Sequence, residues 1–285
     1  MSAPPKKAPA KKAPAEKPAA KKHAAPSAPR KAAQALVVQS RAPLAAVRTP
    51  RPKKGSAVEQ RRPIDAWSYS RLSTWKECPY LAYLKYVEKR KEPDNPAQAR
   101  GHAIHKAAED FVVGRVKTLI PELVKFKKEF AALRKAGASA ERELAFTSSW
   151  KLTDWFAKNS GPERDAWVRI KIDATLFRKD RSALIVDYKT GRQYMPDHED
   201  QLELYAVAAF LLEPEVETVR CEDWYVDSGA KLERTYTREK DLARLLKKWN
   251  DEVAPMMADT TFPKNPSSKC RRCHFRQSNG GPCTY

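Results

Sequence analysis

Two stretches decide how this chain is read: Val168-Arg-Ile-Lys-Ile-Asp173-Ala-Thr-Leu-Phe177 and Ala183-Leu-Ile-Val-Asp187-Tyr-Lys189-Thr-Gly191. The first alternates, with Val168, Ile170, Ile172, Ala174 and Leu176 at every second position, which predicts a half-buried strand. The second is a compact apolar run that ends at a glycine, which suits a central strand. Lys179-Asp-Arg-Ser182 joins them as a hairpin loop. Each strand carries a carboxylate, Asp173 or Asp187, among apolar neighbours. A buried carboxylate is costly unless something neutralises it. Asp187 and Lys189 are two residues apart and so face one side of a strand. Two readings follow from these residues: a carboxylate pair that holds a hard divalent cation such as Mg²⁺ or Mn²⁺, or an Asp–Lys ion pair buried between strands.

Working outward, helices are expected over residues 101–116, with Ile104, Ala108, Phe111 and Val112 inward, and over 122–135. Upstream, Ser70 is the expected cap of a short helix, with Ser73 capping a second turn, before Cys78-Pro79. A strand is expected over 141–146. A helix follows over 201–212, then a hairpin (223–226 and 232–237) around Ser228-Gly229, then an amphipathic helix over 238–258. Helix, strands, helix, strands, helix predicts an α/β or α+β sandwich around a central sheet.

The chain has 285 residues and a net charge of +20, unevenly spread. Residues 1–62 hold 16 Lys and Arg against two Glu, and ten of the 22 prolines. Repeated Lys-Lys-Ala-Pro units bury too little apolar surface to fold. The expectation is a disordered basic tail over 1–62 and one folded domain over 63–285. In composition the tail resembles those of linker-histone-like proteins. A polycation attracts polyanions through counterion release, so nucleic acid is the expected partner and an anionic membrane surface the weaker one. A plain solubilising linker remains the other reading. No stretch approaches the roughly 18 apolar residues of a membrane span, and no secretory apolar segment follows the basic N-terminus. The expected location is intracellular; the prolines argue against a mitochondrial presequence helix.

Cys78, Cys221, Cys270, Cys273 and Cys283 are odd in number, with three near the C-terminus. That pattern favours metal ligation in a reducing cell over a disulfide framework. Thiolates at Cys78, Cys270, Cys273 and Cys283 suit either Zn²⁺ or an iron–sulfur cluster. Cys221 reads as a small buried residue.

Asp173, followed after 13 residues by Asp187-Tyr-Lys189-Thr-Gly191, resembles the core of the PD-(D/E)xK nucleases, with Ile172 where the motif name has proline. The similarity is closest to the RecB-like branch. That branch also has a Gly-x-x-x-His helix upstream, here Gly101 to His105, and a Gln-x-x-x-Tyr helix downstream, here Gln201 to Tyr205. Its exonucleases, including the AddB helicase-nuclease subunit and CRISPR-associated relatives, carry four cysteines around a [4Fe–4S] cluster. Here those are Cys78, Cys270, Cys273 and Cys283, with nine residues between the last two, a longer gap than is common in relatives.

The resemblance spans roughly residues 68–285. It implies a restriction-endonuclease-like core with a mixed sheet, and a Mg²⁺- or Mn²⁺-dependent deoxyribonuclease. Metal ligands would be His105, Asp173, Asp187 and the Tyr188 carbonyl. Lys189 would position the attacking water, and Gln201 and Tyr205 would orient substrate or lysine. Glu109, Glu143 and Arg192 are secondary candidates; Glu109 reads more plainly as a partner of Lys106 or Arg115. Trp150, Trp155, Trp167 and Trp224 could stack on bases, although such residues usually pack cores.

The implied role is an exonuclease at single-stranded or duplex DNA ends, alongside replication, recombination or repair proteins, and compatible with a phage source. The alternatives are a standalone endonuclease and a non-catalytic DNA-binding protein with a structural Zn or Fe–S module.

Overall fold

The computed structural model describes Arg61, residues 63–191 and residues 195–285. The expected tail therefore lies, apart from Arg61, outside the described residues, as does Arg192.

Helix α1 (Tyr69–Glu77) is capped by Ser68, not Ser70: the Ser68 hydroxyl accepts from the Arg71 amide at 3.4 Å. A short α2 (Pro79–Ala82) runs into a π turn over Tyr83–Val87. Helix α3 spans Pro96–Val112 and starts five residues before the expected Gly101. Asn95 caps it, its side chain accepting from the Ala97 amide, and Pro96 fits the first turn, where no amide partner is needed. Gly101 is thus interior to α3, with Thr190 close against it. A 3₁₀ turn over Pro121–Phe126 leads into α4 (Lys127–Ala136), stopped by Gly137 at φ 72°.

Six strands form one sheet: β1 (Ser139–Phe146), β2 (Leu152–Thr153), β3 (Val168–Phe177), β4 (Ser182–Lys189), β5 (Thr218–Tyr225) and β6 (Ala230–Thr237). Their order is β2-β1-β3-β4-β5-β6, with β4 and β5 parallel and every other pair antiparallel. The parallel pair is connected through α5 (Met195–Leu212). A π turn over Arg238–Leu242 precedes α6 (Ala243–Ala258), so the expected helix over 238–258 is split in two. This is the mixed-sheet α/β core that the sequence predicts.

Two apolar clusters cover the two faces of the sheet. One joins β1, β3 and β4 to α5 and α6 through Phe146, Ile170, Ile185, Phe210 and Trp249. The other lies under α3 and α4, through Ile104, Phe130, Val186 and Trp224. The simple alternation expected for β3 does not persist along it. Val168, Ile170 and Ile172 pack in the first cluster, whereas Ala174 packs in the second. Neighbouring β1 does the same: Leu144 and Phe146 face the first cluster, and Ala140 the second. Both changes occur at one level. There Glu141, at φ 52°, lies opposite Asp173, and the register of β1 with β3 passes over that pair. A non-glycine residue at such a φ costs of order 1–3 kcal/mol and persists only where its surroundings fix it.

Trp150, Trp167 and Trp224 are packing residues, as their type predicts. Trp150 and Trp167 meet Trp67 edge to face, and Trp224 stacks on Phe126 at 5.1 Å. Trp155 is half-buried beside Arg169.

Candidate active site

Asp173 and Asp187 lie where β3 and β4 part, just beyond the Ala174–Val186 register pair. Both carboxylates are buried. His105, carried by α3, approaches Asp173 with Nδ1 at 3.0 Å from Oδ1. The Tyr188 amide donates to the other Asp173 oxygen at 2.7 Å. Tyr188 turns its ring to the opposite face, where it packs on Phe130 and meets the edge of His105. A strand residue thus serves twice: its backbone holds the carboxylate and its side chain holds the histidine.

Asp187 closes a ring with three other residues. Lys189 Nζ lies 2.7 Å from Asp187 Oδ2 and donates to Gln201 Oε1 at 2.6 Å. Gln201 Nε2 donates to the Tyr205 hydroxyl at 2.6 Å, and that hydroxyl donates to Asp187 Oδ1 in a short hydrogen bond. Gln201 and Tyr205 are four apart on α5, so one helix face supplies both. Each buried polar group in the ring is satisfied, the condition under which such a network fixes geometry.

The charges are consistent with this arrangement. Burial and the repulsion of Asp187 push the Asp173 carboxyl up to about 6. Asp187 is also desolvated, but Lys189 and Tyr205 hold it below its ordinary range. Burial opposes the Lys189 ammonium, yet Asp187 and Asp223 outweigh it and raise its pKa, so the side chain stays protonated. For His105 burial works downward, and Asp173 more than reverses it.

Two acidic groups of the site were not among the sequence candidates. Glu141 is the first. Ligand atoms of His105, Glu141 and Asp173 lie within 4.8 Å of one another, and Asp187 is outside that group. The structure places the secondary candidate Glu143 two residues along β1, exposed and paired with Lys171, while Glu141 is the one opposite Asp173. Asp223 is the second. It is fully buried on β5, in register with Asp187, and 4.0 Å from Lys189. Burial and the neighbouring carboxylates push it up to about 7. Its signal was present in the sequence as an acid inside an apolar strand, the same signal that picked out Asp187. Glu109 takes the plain role foreseen for it, pairing with Arg115 at 2.7 Å and Lys106 at 3.1 Å.

One nitrogen and carboxylate oxygens converging at a buried, mutually repelling acidic pair make a donor set suited to Mg²⁺ or Mn²⁺. A cation there would relieve the repulsion that raises Asp173.

The cysteines assemble elsewhere. Cys78, Cys270, Cys273 and Cys283 line one cavity, all as free thiols. Burial, then the three other sulfurs, raise the Cys273 thiol. The long gap between Cys273 and Cys283 is folded back on itself: the Cys283 amide donates to the Phe275 carbonyl at 2.8 Å, and Arg276 bridges Cys283. A Cβ at Gly281 would lie 2.2 Å from the Phe275 carbonyl carbon, so only glycine closes this loop. Cys221 is buried in the core, as predicted.

The chain belongs to the PD-(D/E)XK nuclease superfamily, whose sequence profile matches residues 66–278. Nuclease chemistry on DNA is the activity that membership implies. No curated protein matches the chain. Among solved structures it is similar to a protein called SSO0001, at 17% identity and a TM-score of 0.39, covering 80% of this chain and 91% of that one. It is also similar to a Eubacterium rectale protein with a provisional exonuclease assignment, at 12% identity and a TM-score of 0.42, covering 76% and 87%. No helix among the described residues is long and apolar enough to cross a membrane.

Proposed function

We propose that this protein is a divalent-metal-dependent deoxyribonuclease of the RecB-like branch, acting as an exonuclease at DNA ends in replication, recombination or repair. The observation that carries the reading is the closed ring of Asp187, Lys189, Gln201 and Tyr205 beside the converging His105, Glu141 and Asp173. An ion pair that only bridged two strands would need neither the glutamine nor the histidine.

In this reading His105, Glu141 and Asp173 hold the cation, with Asp187 and the Tyr188 carbonyl completing its surroundings. The metal supplies positive charge that acidifies water and stabilises the phosphate oxygens. Lys189, kept as an ammonium by its two carboxylates, donates hydrogen bonds and does not accept a proton. It orients the attacking water and opposes charge developing on the phosphate. Gln201 fixes the ammonium from the far side, and Tyr205 keeps Asp187 ionised by donating to it.

The four cysteines are proposed to hold a [4Fe–4S] cluster, with Zn²⁺ the alternative. Tetrahedral zinc with bonds of about 2.3 Å draws its sulfurs to about 3.8 Å of one another. All four cysteines line one cavity, the observation on which this part of the proposal rests. The basic tail is proposed to raise DNA affinity in a salt-sensitive way.

The test is digestion of linear single- and double-stranded DNA, labelled at either end, beside a closed circle, in Mg²⁺ or Mn²⁺. Wild type should shorten the linear substrates and spare the circle, while Asp187→Ala with Lys189→Ala should leave both intact. Equal degradation by wild type and the double variant sinks the enzyme reading and leaves a DNA-binding protein; nicking of the circle favours an endonuclease.

A further inference from the structure

A second cavity adjoins the candidate active site and shares Ser70, Lys171, Gln201 and Tyr205 with it. Its other charged groups are Arg71 and Arg169. The two guanidiniums are unusual for this chain. Arg100, Arg115 and Arg234 each meet a carboxylate at 2.7 Å or less. Arg71 and Arg169 instead spend hydrogen bonds on backbone carbonyls, of Ala66 at 2.5 Å and Trp155 at 2.8 Å. Among the described residues, neither has a carboxylate at ion-pair distance. Their side chains are held in place, Arg71 over the Tyr86 ring at 5.2 Å and Arg169 over Trp155 at 5.7 Å. Burial, and then the like charge of Arg169, lower the Arg71 pKa, and Tyr86 and Asp65 offset them only in part. Two fixed, half-buried cations that repel each other form a place where an anion is favoured.

We propose that this cavity is a phosphate-binding subsite for the DNA strand whose scissile bond lies at Asp173, an assignment that rests on the nuclease reading. The anion must be a neighbour of the reacting phosphate, because Lys171 and Tyr205 line both cavities. A planar guanidinium fork matches a phosphate's paired oxygens. Trp155, half-buried at the same wall, offers a face on which a base of an unpaired strand stacks. The phosphate can be an internal diester or a strand's terminal 5′-phosphate; both present the same oxygens.

The experiment uses the full chain and the variants Arg169→Gln and Arg71→Lys, checked for folding by thermal melting. Binding of a fluorescent single-stranded oligonucleotide is followed by anisotropy in Ca²⁺, with 5′-phosphate and 5′-hydroxyl arms, across a salt series. Hydrolysis of the same strands, and of bis(p-nitrophenyl) phosphate, is followed in Mn²⁺. Each variant should bind the strand about tenfold more weakly, and Arg169→Gln should reduce the salt slope by about 0.7, as expected for one lost phosphate contact. Hydrolysis of the small diester, which has one phosphate only, should stay within about twofold. A loss confined to the 5′-phosphate arm assigns the terminal group, and a loss in both arms an internal one. Unchanged binding by both folded variants overturns the proposal, as does an equal fall in small-diester hydrolysis. Wild type that binds DNA but cleaves neither substrate counts against the nuclease reading, while the binding arm still decides the subsite.

Discussion

The carboxylate site and the cysteine cavity are built in opposite ways. At the carboxylate site the groups come from four strands and two helices, and side chains hold one another: His105 by Asp173, Lys189 by Gln201, Asp187 by Tyr205. Around the cysteines, backbone hydrogen bonds within residues 267–285 do most of the positioning, and only Cys78 arrives from afar. In a side-chain network the loss of one member frees the partners it held. A backbone loop fails as a whole when its geometry is refused.

The largest expected effect tests the first half of that contrast. Asp187→Ala should lower DNA hydrolysis at least about 10³-fold, because it removes the carboxylate and frees Lys189 and Tyr205 together. A gel assay in Mn²⁺ decides it, and retention of a tenth of the activity would break the ring interpretation. Next comes the loop. Gly281→Ala puts a methyl group into the Phe275 carbonyl, so it should lower the melting temperature and cut bound iron or zinc to a small fraction, measured by metal analysis. Full metal occupancy in that variant would show that the loop tolerates what its geometry forbids.

A third comparison sets two glutamates of one strand against each other. Glu141→Gln should weaken Mn²⁺ binding by about 10- to 100-fold in calorimetry, and Glu143→Gln should leave it unchanged. The same titration should show affinity falling as pH drops to about 6 and below, as His105 and then Asp173 take up protons that compete with the cation.

The smallest effect concerns Asp223. Its carboxyl is pushed up to about 7, above the roughly 3.9 expected in the unfolded chain. The folded state therefore holds the proton more tightly, and stability is lost as pH rises from about 4 to 7. Asp223→Asn removes that loss. Its melting temperature relative to wild type should climb over this window and level off above it. A constant difference between pH 4 and 8 would mean that Asp223 carries its charge at no cost.

Most of the architecture was legible because it depends on local pattern. The apolar run of 183–188 predicts a central strand, and β4 is buried along that run. The conjunction of Asp173, Asp187 and Lys189 was readable because all three sit on strands joined by a short hairpin. Glu141 was not, since its place opposite Asp173 depends on register across more than thirty residues of intervening chain. Helix starts were misjudged where capping decided them: Asn95-Pro96 outweighed Gly101, and Ser68 outweighed Ser70. How the nine-residue cysteine gap folds was not legible, because sequence spacing does not reveal a loop that doubles back.

The exchange of faces by β1 and β3 at Glu141 and Asp173 makes the sheet permeable at one point. Elsewhere α3 and α5 are screened from each other by a layer of backbone; here His105 from one side and Tyr205 from the other reach adjacent carboxylates. The two helices are linked like handles on a common axle. His105 and Tyr205 thus fix neighbouring carboxylates from opposite sides of one sheet.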